Sequence, residues 1–156
     1  MKQFFLTFLI FLSVLTLSAC GSTPTLHPEL PAAEVSCRDT VYSVSAESTE
    51  DGVVITLLSP DSVSGISYRY EGDEMTIDCE GLQCITDSAY LPDNAIAASF
   101  YAAVTESENA QYEYSEDDSD IFTACDGRFV FRVKDGQISE ICDNQYGYDY
   151  FLATNH

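Results

Sequence analysis

The sequence predicts an α+β domain that is mainly β, with an antiparallel sheet and one helix crossing it at about 93–106. Three observations carry this prediction. Apolar and polar residues alternate with period 2 along several short segments, which is typical of half-buried strands. Short turns that contain glycine separate those segments, as in an antiparallel meander. A single alanine-rich segment changes to a helical period.

The strands are clearest in the first half of this domain. Val53 opens a run of β-branched and leucine residues, which Ser59-Pro60-Asp61 interrupts. Tyr68 and Tyr70 then alternate with polar residues, and Glu71-Gly72 is typical of a turn. In chain order we predict strands at 53–58, 66–70, 75–79 and 82–86, after weaker β material at 36–46.

The helix is predicted from the spacing of its apolar residues. Ile96, Phe100 and Val104 recur every four residues, so they lie on one face. Asp93 precedes them and is a suitable N-cap or first-turn residue, since exposed amide groups there favour an acid. This segment is the one helix that we predict.

The chain ends with a predicted hairpin, because Asp135-Gly136 favours a type I′ turn. That turn sets Val133 opposite Ile138 and Phe129 opposite Cys142. A last strand is predicted at 148–152. The acidic run at 106–120 lacks the spacing of a calcium-binding loop, so we interpret it as a solvated loop and expect no metal.

The first twenty residues are interpreted as an export and anchoring signal. Lys2 precedes an apolar run that is shorter than the roughly 20 residues of a membrane span. Leu17-Ser18-Ala19-Cys20 resembles the lipobox of bacterial lipoproteins, in which the cysteine becomes the lipidated N-terminus. We therefore predict a signal peptide at 1–19, a flexible tether at 20–34 and a folded domain at 35–156. An ordinary secretory signal or a short anchor helix is the alternative.

The charge narrows the classes of partner. The chain has 26 acidic and 6 basic residues, a formal charge of −20. Such a chain is repelled by phosphate backbones and by anionic lipid headgroups, which argues against binding nucleic acid. The acylated Cys20 is therefore the expected link to the bilayer, with the domain on the extracytoplasmic face of the cell membrane.

Several turn and strand residues are similar to those of a known family. The segment 52–152 resembles small lipoproteins of Gram-positive, gut-type bacteria whose domain has a LolA-like fold. The resemblance implies a curved sheet, a half-barrel, partly wrapping a helical element. In the carrier proteins that define this fold, such a half-barrel shelters the acyl chains of lipoproteins. It rests on turn and strand positions, namely Ser59, Pro60, Gly65, Tyr70, Gly72, Gly81, Leu82, Leu91 and Pro92.

Two functions follow from these predictions. The first is a non-enzymatic binding domain for a hydrophobic ligand or an envelope partner, without a cofactor. The second is a structural or protein-interaction lipoprotein with a closed core and no ligand. The side chains expected on the concave face are Ile55, Leu57, Ile66, Tyr68, Met75, Ile77, Ile96 and Phe100.

The cysteines leave two alternatives open. Outside the cytoplasm cysteines often pair, and Cys79–Cys84 and Cys125–Cys142 are the bridges expected if they do. Alternatively all the cysteines after Cys20 are reduced core residues. No serine or cysteine motif of a nucleophilic enzyme is present, so we predict no catalytic residues.

Overall fold

The structure, a computed structural model, describes Leu26, residues 32–37 and residues 40–152. These residues form an 11-stranded antiparallel sheet and one α-helix, which confirms the predicted fold class. The strands are β1 (Ala32–Cys37), β2 (Thr40–Ser48), β3 (Val53–Ser59), β4 (Ser67–Glu71), β5 (Glu74–Cys79), β6 (Leu82–Asp87), β7 (Gln111–Glu116), β8 (Ser119–Ala124), β9 (Phe129–Lys134), β10 (Gln137–Asp143) and β11 (Tyr148–Leu152), and the helix α1 is Ile96–Ser107.

The order of the strands explains the shape of the sheet. The order is β6-β5-β4-β3-β2-β1-β11-β10-β9-β8-β7, so the first and last strands pair in the middle and β6 and β7 form the two edges. Helix α1 connects those two edges. It contacts β3 on one side and β9 and β10 on the other, which are far apart in the sheet. The sheet therefore curves around the helix.

The core lies between the concave face and α1. Its largest fully buried side chains are aromatic, because large rings fill the space between a helix and a curved sheet. Phe100 of α1 stacks on Tyr150 of β11 with ring centroids 5.0 Å apart. The same cluster includes Phe122 of β8 and Phe129 and Phe131 of β9.

Two predicted boundaries differ from the structure. The helix begins at Ile96 rather than at 93, because Pro92 to Ala95 form a turn in which the amide of Ala95 donates to the carbonyl of Pro92 at 2.8 Å. Strand β1 begins at Ala32, so it includes the last residues that we assigned to the tether. The predicted signal peptide at 1–19 lies outside the described residues.

The acidic run that we interpreted as a loop is a β-hairpin. Strands β7 and β8 pair around Asp117 and Asp118, which have φ of 47° and 64°. Aspartate tolerates this left-handed region better than most residues, so the pair replaces the expected Asp-Gly or Asn-Gly. The hairpin was missed because its turn residues look like part of a charge run.

The last hairpin has the predicted turn but a different register at its open end. Val133 lies opposite Ile138, as predicted. A β-bulge follows Ile138, so one extra residue is accommodated in β10. Phe129 therefore faces Asp143, and Cys142 faces Val130. The predicted pairing of Phe129 with Cys142 is wrong by that one residue.

Candidate functional site

The residues predicted for the concave face come together, but α1 covers most of them. Ile55, Leu57, Met75 and Phe100 are buried in the core. Ile96, Tyr68 and Ile77 are half-buried and pack against it. Ile66 is half-buried in the turn before β4, where its amide donates to the carbonyl of Val63.

A buried polar network holds α1 against the sheet. Asp143 of β10 is buried, and its carboxylate accepts a hydrogen bond from the hydroxyl of Ser99 on α1 at 2.6 Å. Two of the three side-chain nitrogens of Arg128, Nε and Nη2, also donate to this carboxylate. The hydroxyl of Tyr150 donates to that of Ser99 at 2.7 Å. Because each member is satisfied by the others, the network fixes the position of the helix.

Tyrosines extend this packing toward β4. The rings of Tyr70 and Tyr101 are stacked 3.9 Å apart and nearly parallel. Burial raises the pKa of Tyr70 and also that of Tyr150, so both hydroxyls stay protonated in ordinary conditions. The hydroxyl of Tyr70 is buried and has no hydrogen-bond partner among the described residues.

The sheet extends beyond the helix at the β6 edge, where apolar side chains are exposed. Leu82 is 79% exposed on the concave side, opposite Cys79, and Ile85 is 65% exposed on the other side, opposite Thr76. We call this region the β6 edge surface. Its residues are Leu82, Cys84 and Ile85 of β6, with Tyr90 in the 3₁₀ turn that follows.

Acidic side chains surround the β6 edge surface. Asp78 accepts hydrogen bonds from the amide of Gly81 at 3.2 Å and from the side chain of Gln83 at 2.9 Å, which orders the β5–β6 turn. Glu80 is exposed in that turn, and Asp87 at the end of β6 caps the 3₁₀ turn. The result is an apolar strip with an anionic border. The sequence predicted strand β6 but not this exposed surface. The spacing of Leu82 and Ile85 could have indicated it, because two apolar side chains three residues apart lie on opposite faces of a strand.

The described cysteines are free thiols, so neither predicted disulfide is present in the structure. Cys79 lies opposite Leu82 and Cys84 lies opposite Ile77, so these two thiols are diagonal neighbours rather than a direct pair. Cys142 lies in β10 opposite Val130, whereas Cys125 lies in the exposed turn after β8. None of these five cysteines is a buried core residue, because Cys79, Cys84 and Cys125 are exposed and Cys37 and Cys142 are half-buried.

One thiol lies in an anionic cluster on the outer face. Cys142, Glu140 and Asp149 have their donor atoms within 4.8 Å of one another. Burial raises the pKa of the Cys142 thiol to about 12, and the Glu140 carboxylate adds to that shift. Glu140 is paired with Arg132 at 3.1 Å, which takes up part of its charge. Cys142 is therefore a neutral thiol near pH 7 rather than a nucleophile.

Among the described residues, no helix has the length and hydropathy needed to cross a membrane. Helix α1, the longest of them, has 12 residues.

Comparison with known proteins gives one structural likeness. No protein-family model matches the chain. No curated protein matches it either. Among solved structures, the LolA superfamily protein NE2245 from Nitrosomonas europaea is similar, with 11% sequence identity, a TM-score of 0.43, and 85% of this chain and 90% of that chain covered.

Proposed function

We propose that this protein is a lipid-anchored, extracytoplasmic binding module that recognises a partner protein through the β6 edge surface, without catalysis. The observation that carries the proposal is an exposed apolar edge strand beside a core that is already filled. Leu82 and Ile85 are exposed at that edge. Phe100 fills the concave face that a carrier would keep open.

The filled face argues against a ligand inside the sheet. Phe100 and Ala103 of α1 are fully buried against the strands, and Ser99 ties the helix to Asp143. A hydrophobic ligand on this face would have to displace the helix and break that network. Such a displacement exposes both apolar surface and a buried ion pair, and both are costly.

The edge supports binding by strand addition. Among the described strands, β6 pairs only with β5, so its outer side offers backbone groups to another extended chain. The side chains of Leu82 and Ile85 would then contact the added strand from opposite faces of the sheet. The anionic border of Asp78, Glu80 and Asp87 favours a segment that carries lysine or arginine. It also disfavours pairing of β6 with β6 of a second copy.

Cross-linking in cells tests this surface. A photo-reactive side chain at position 85 is expected to cross-link to a discrete partner, because Ile85 lies in the β6 edge surface. The same group at position 58 is the matched control, since Leu58 is 48% exposed on β3, away from that edge. Leu82→Ser is expected to weaken the position-85 cross-link by about tenfold, as loss of an interface anchor does.

Equal cross-linking from positions 85 and 58, or no effect of Leu82→Ser, would contradict binding at the β6 edge. Leu58→Ser serves as the second control and should leave the position-85 product unchanged. Both serines replace exposed leucines, so both variants should keep the stability of the parent to within about 0.5 kcal/mol.

The anchor has its own test. If Cys20 carries lipid, Cys20→Ala abolishes incorporation of labelled fatty acid and releases the protein from lipidation-dependent membrane retention. Globomycin, which blocks the lipoprotein signal peptidase, is expected to leave an unprocessed precursor. Cys37→Ala is the control, because Cys37 lies in β1 of the folded domain. Label retained by the Cys20→Ala protein would overturn the lipid anchor.

A further inference from the structure

The β5–β6 hairpin has two chemically different faces. Successive side chains of a strand alternate between its faces, and the register of β4, β5 and β6 assigns each of them. Met75 lies opposite the buried Tyr70, so the side chains on its face point to the concave side. These concave side chains are uncharged: Met75, Ile77, Cys79, Leu82, Cys84 and Thr86. The convex side chains include three acids and no base: Glu74, Thr76, Asp78, Gln83, Ile85 and Asp87.

The hydrogen-bonding pattern shows which backbone groups of β6 face outward. The amide of Ser88 donates to the carbonyl of Asp73 at 2.8 Å, just beyond the last pair of the β5–β6 ladder. Hydrogen-bonded and non-hydrogen-bonded pairs alternate along an antiparallel ladder, so every second residue of β6 bonds to β5 and the residues between them point outward. The residues whose amides and carbonyls point to the open edge are Gln83, Ile85 and Asp87.

The two edges of the sheet differ in how well they suit an added strand. Strand β7 has a β-bulge between Tyr112 and Tyr114, and a bulge disturbs the regular ladder that an added strand needs. Strand β6 pairs with β5 in unbroken register along its whole length. Of the two outermost described strands, β6 is therefore the one that presents a regular row of backbone groups.

An added strand would place its own side chains on the same two faces. On the convex side they would meet the exposed carboxylate of Asp87 and that of Asp78, which reaches the side chain of Gln83 at 2.9 Å. Lysine and arginine complement these charges. On the concave side the added side chains would lie beside Leu82 and Cys84, which are exposed and uncharged. Apolar side chains suit that face, because a charge there would lose water without gaining a partner.

We propose that the partner segment is an amphipathic strand in which lysine or arginine alternates with apolar residues. Its basic side chains lie on the convex face and its apolar side chains lie on the concave face. A segment of about five residues is long enough to span the edge from Gln83 to Asp87. This inference rests on the proposed binding at the β6 edge surface and adds the sequence pattern that the surface selects.

Fluorescence anisotropy with labelled heptapeptides and the purified full-length protein tests the pattern. The alternating probe is Val-Lys-Val-Lys-Val-Lys-Val, and the permuted probe of the same composition is Val-Val-Lys-Lys-Lys-Val-Val, which puts lysine on both faces of a strand. We expect the alternating probe to bind with a Kd of about 0.1 mM and the permuted probe at least about tenfold more weakly. The alternating acidic probe, with glutamate in place of lysine, should not bind.

Protein variants show where the alternating probe binds. Leu82→Ser should weaken its binding by about tenfold, as loss of an apolar anchor does. Glu74→Gln combined with Asp87→Asn should weaken it by about threefold to fivefold, because exposed charge pairs contribute modestly. Glu47→Gln is the matched control and should leave the affinity unchanged, since Glu47 is an exposed acid on β2, away from the β6 edge.

Equal affinities of the alternating and permuted probes would overturn the inference, because attraction by the net charge of −20 would then explain the binding. Absence of binding by the alternating probe would overturn it as well. In either case, a cross-link from position 85 to a partner in cells would show that binding at the β6 edge stands and that only the pattern is wrong. Loss of both results would reject the proposed function together with the pattern.

Discussion

Asp143→Ala is expected to lower the free energy of unfolding by about 3–5 kcal/mol, the cost of breaking a buried ion pair. The substitution removes the acceptor for Arg128, for the hydroxyl of Ser99 and for the amide of Gln145. Arg128 is half-buried beside Phe129, with 22% of its side chain exposed, so its charge would lose its partner and regain only part of its hydration. Urea unfolding measures this loss as a lower midpoint at unchanged slope.

Asp149→Ala is the matched control for this prediction. Asp149 is an exposed acid on β11, close in sequence to Asp143, and its loss should change the stability by about 0.5 kcal/mol or less. Asp143→Asn keeps the shape of the side chain and should cost less than Asp143→Ala. A stability loss below about 1 kcal/mol in Asp143→Ala would mean that the network does not hold α1 to the sheet.

Phe100→Ala is expected to be the other large effect, also about 3–5 kcal/mol. Phe100 is fully buried and stacks on Tyr150, so truncation removes both apolar burial and an aromatic contact and leaves a cavity under α1. Phe151→Ala is the control, because Phe151 is 50% exposed on the outer face of β11 and its loss should cost about 1 kcal/mol or less. Equal stability losses in the two variants would contradict a core closed by the helix.

The strands were predictable wherever one face of the sheet is buried and the other is exposed to solvent. The structure has strands at Val53–Leu58 and through Tyr68 and Tyr70, and a turn at Asp135-Gly136, as predicted. Each of these predictions depended only on residues that are close together in the sequence. The helix was predictable from Ile96, Phe100 and Val104, because apolar residues that recur every four positions lie on one face of an α-helix. Its start was not, because Asp93 and Asn94 can serve equally well as a cap or as part of a turn.

What the sequence could not predict depends on distant contacts. Asp143 is one acid among 26, and only the tertiary structure shows that it is the buried partner of Arg128 and Ser99. The bulge after Ile138 has no glycine to mark it, so the register shift was invisible. The pairing of β1 with β11 joins the two ends of the described chain into one sheet, whose outermost strands are β6 and β7. The β6 edge surface therefore follows from topology rather than from a motif.

We expect α1 to fill the concave face in the folded protein and partners to bind outside it. Native mass spectrometry of the full-length protein tests this most directly, because the covalent lipid that we propose at Cys20 would survive denaturation whereas a non-covalently bound lipid would be lost. We expect the native and denatured masses of the wild-type protein to agree, and Phe100→Ala to be the variant that gains a releasable lipid. A stoichiometric lipid released from the wild-type protein would show that the face is open and would contradict the account.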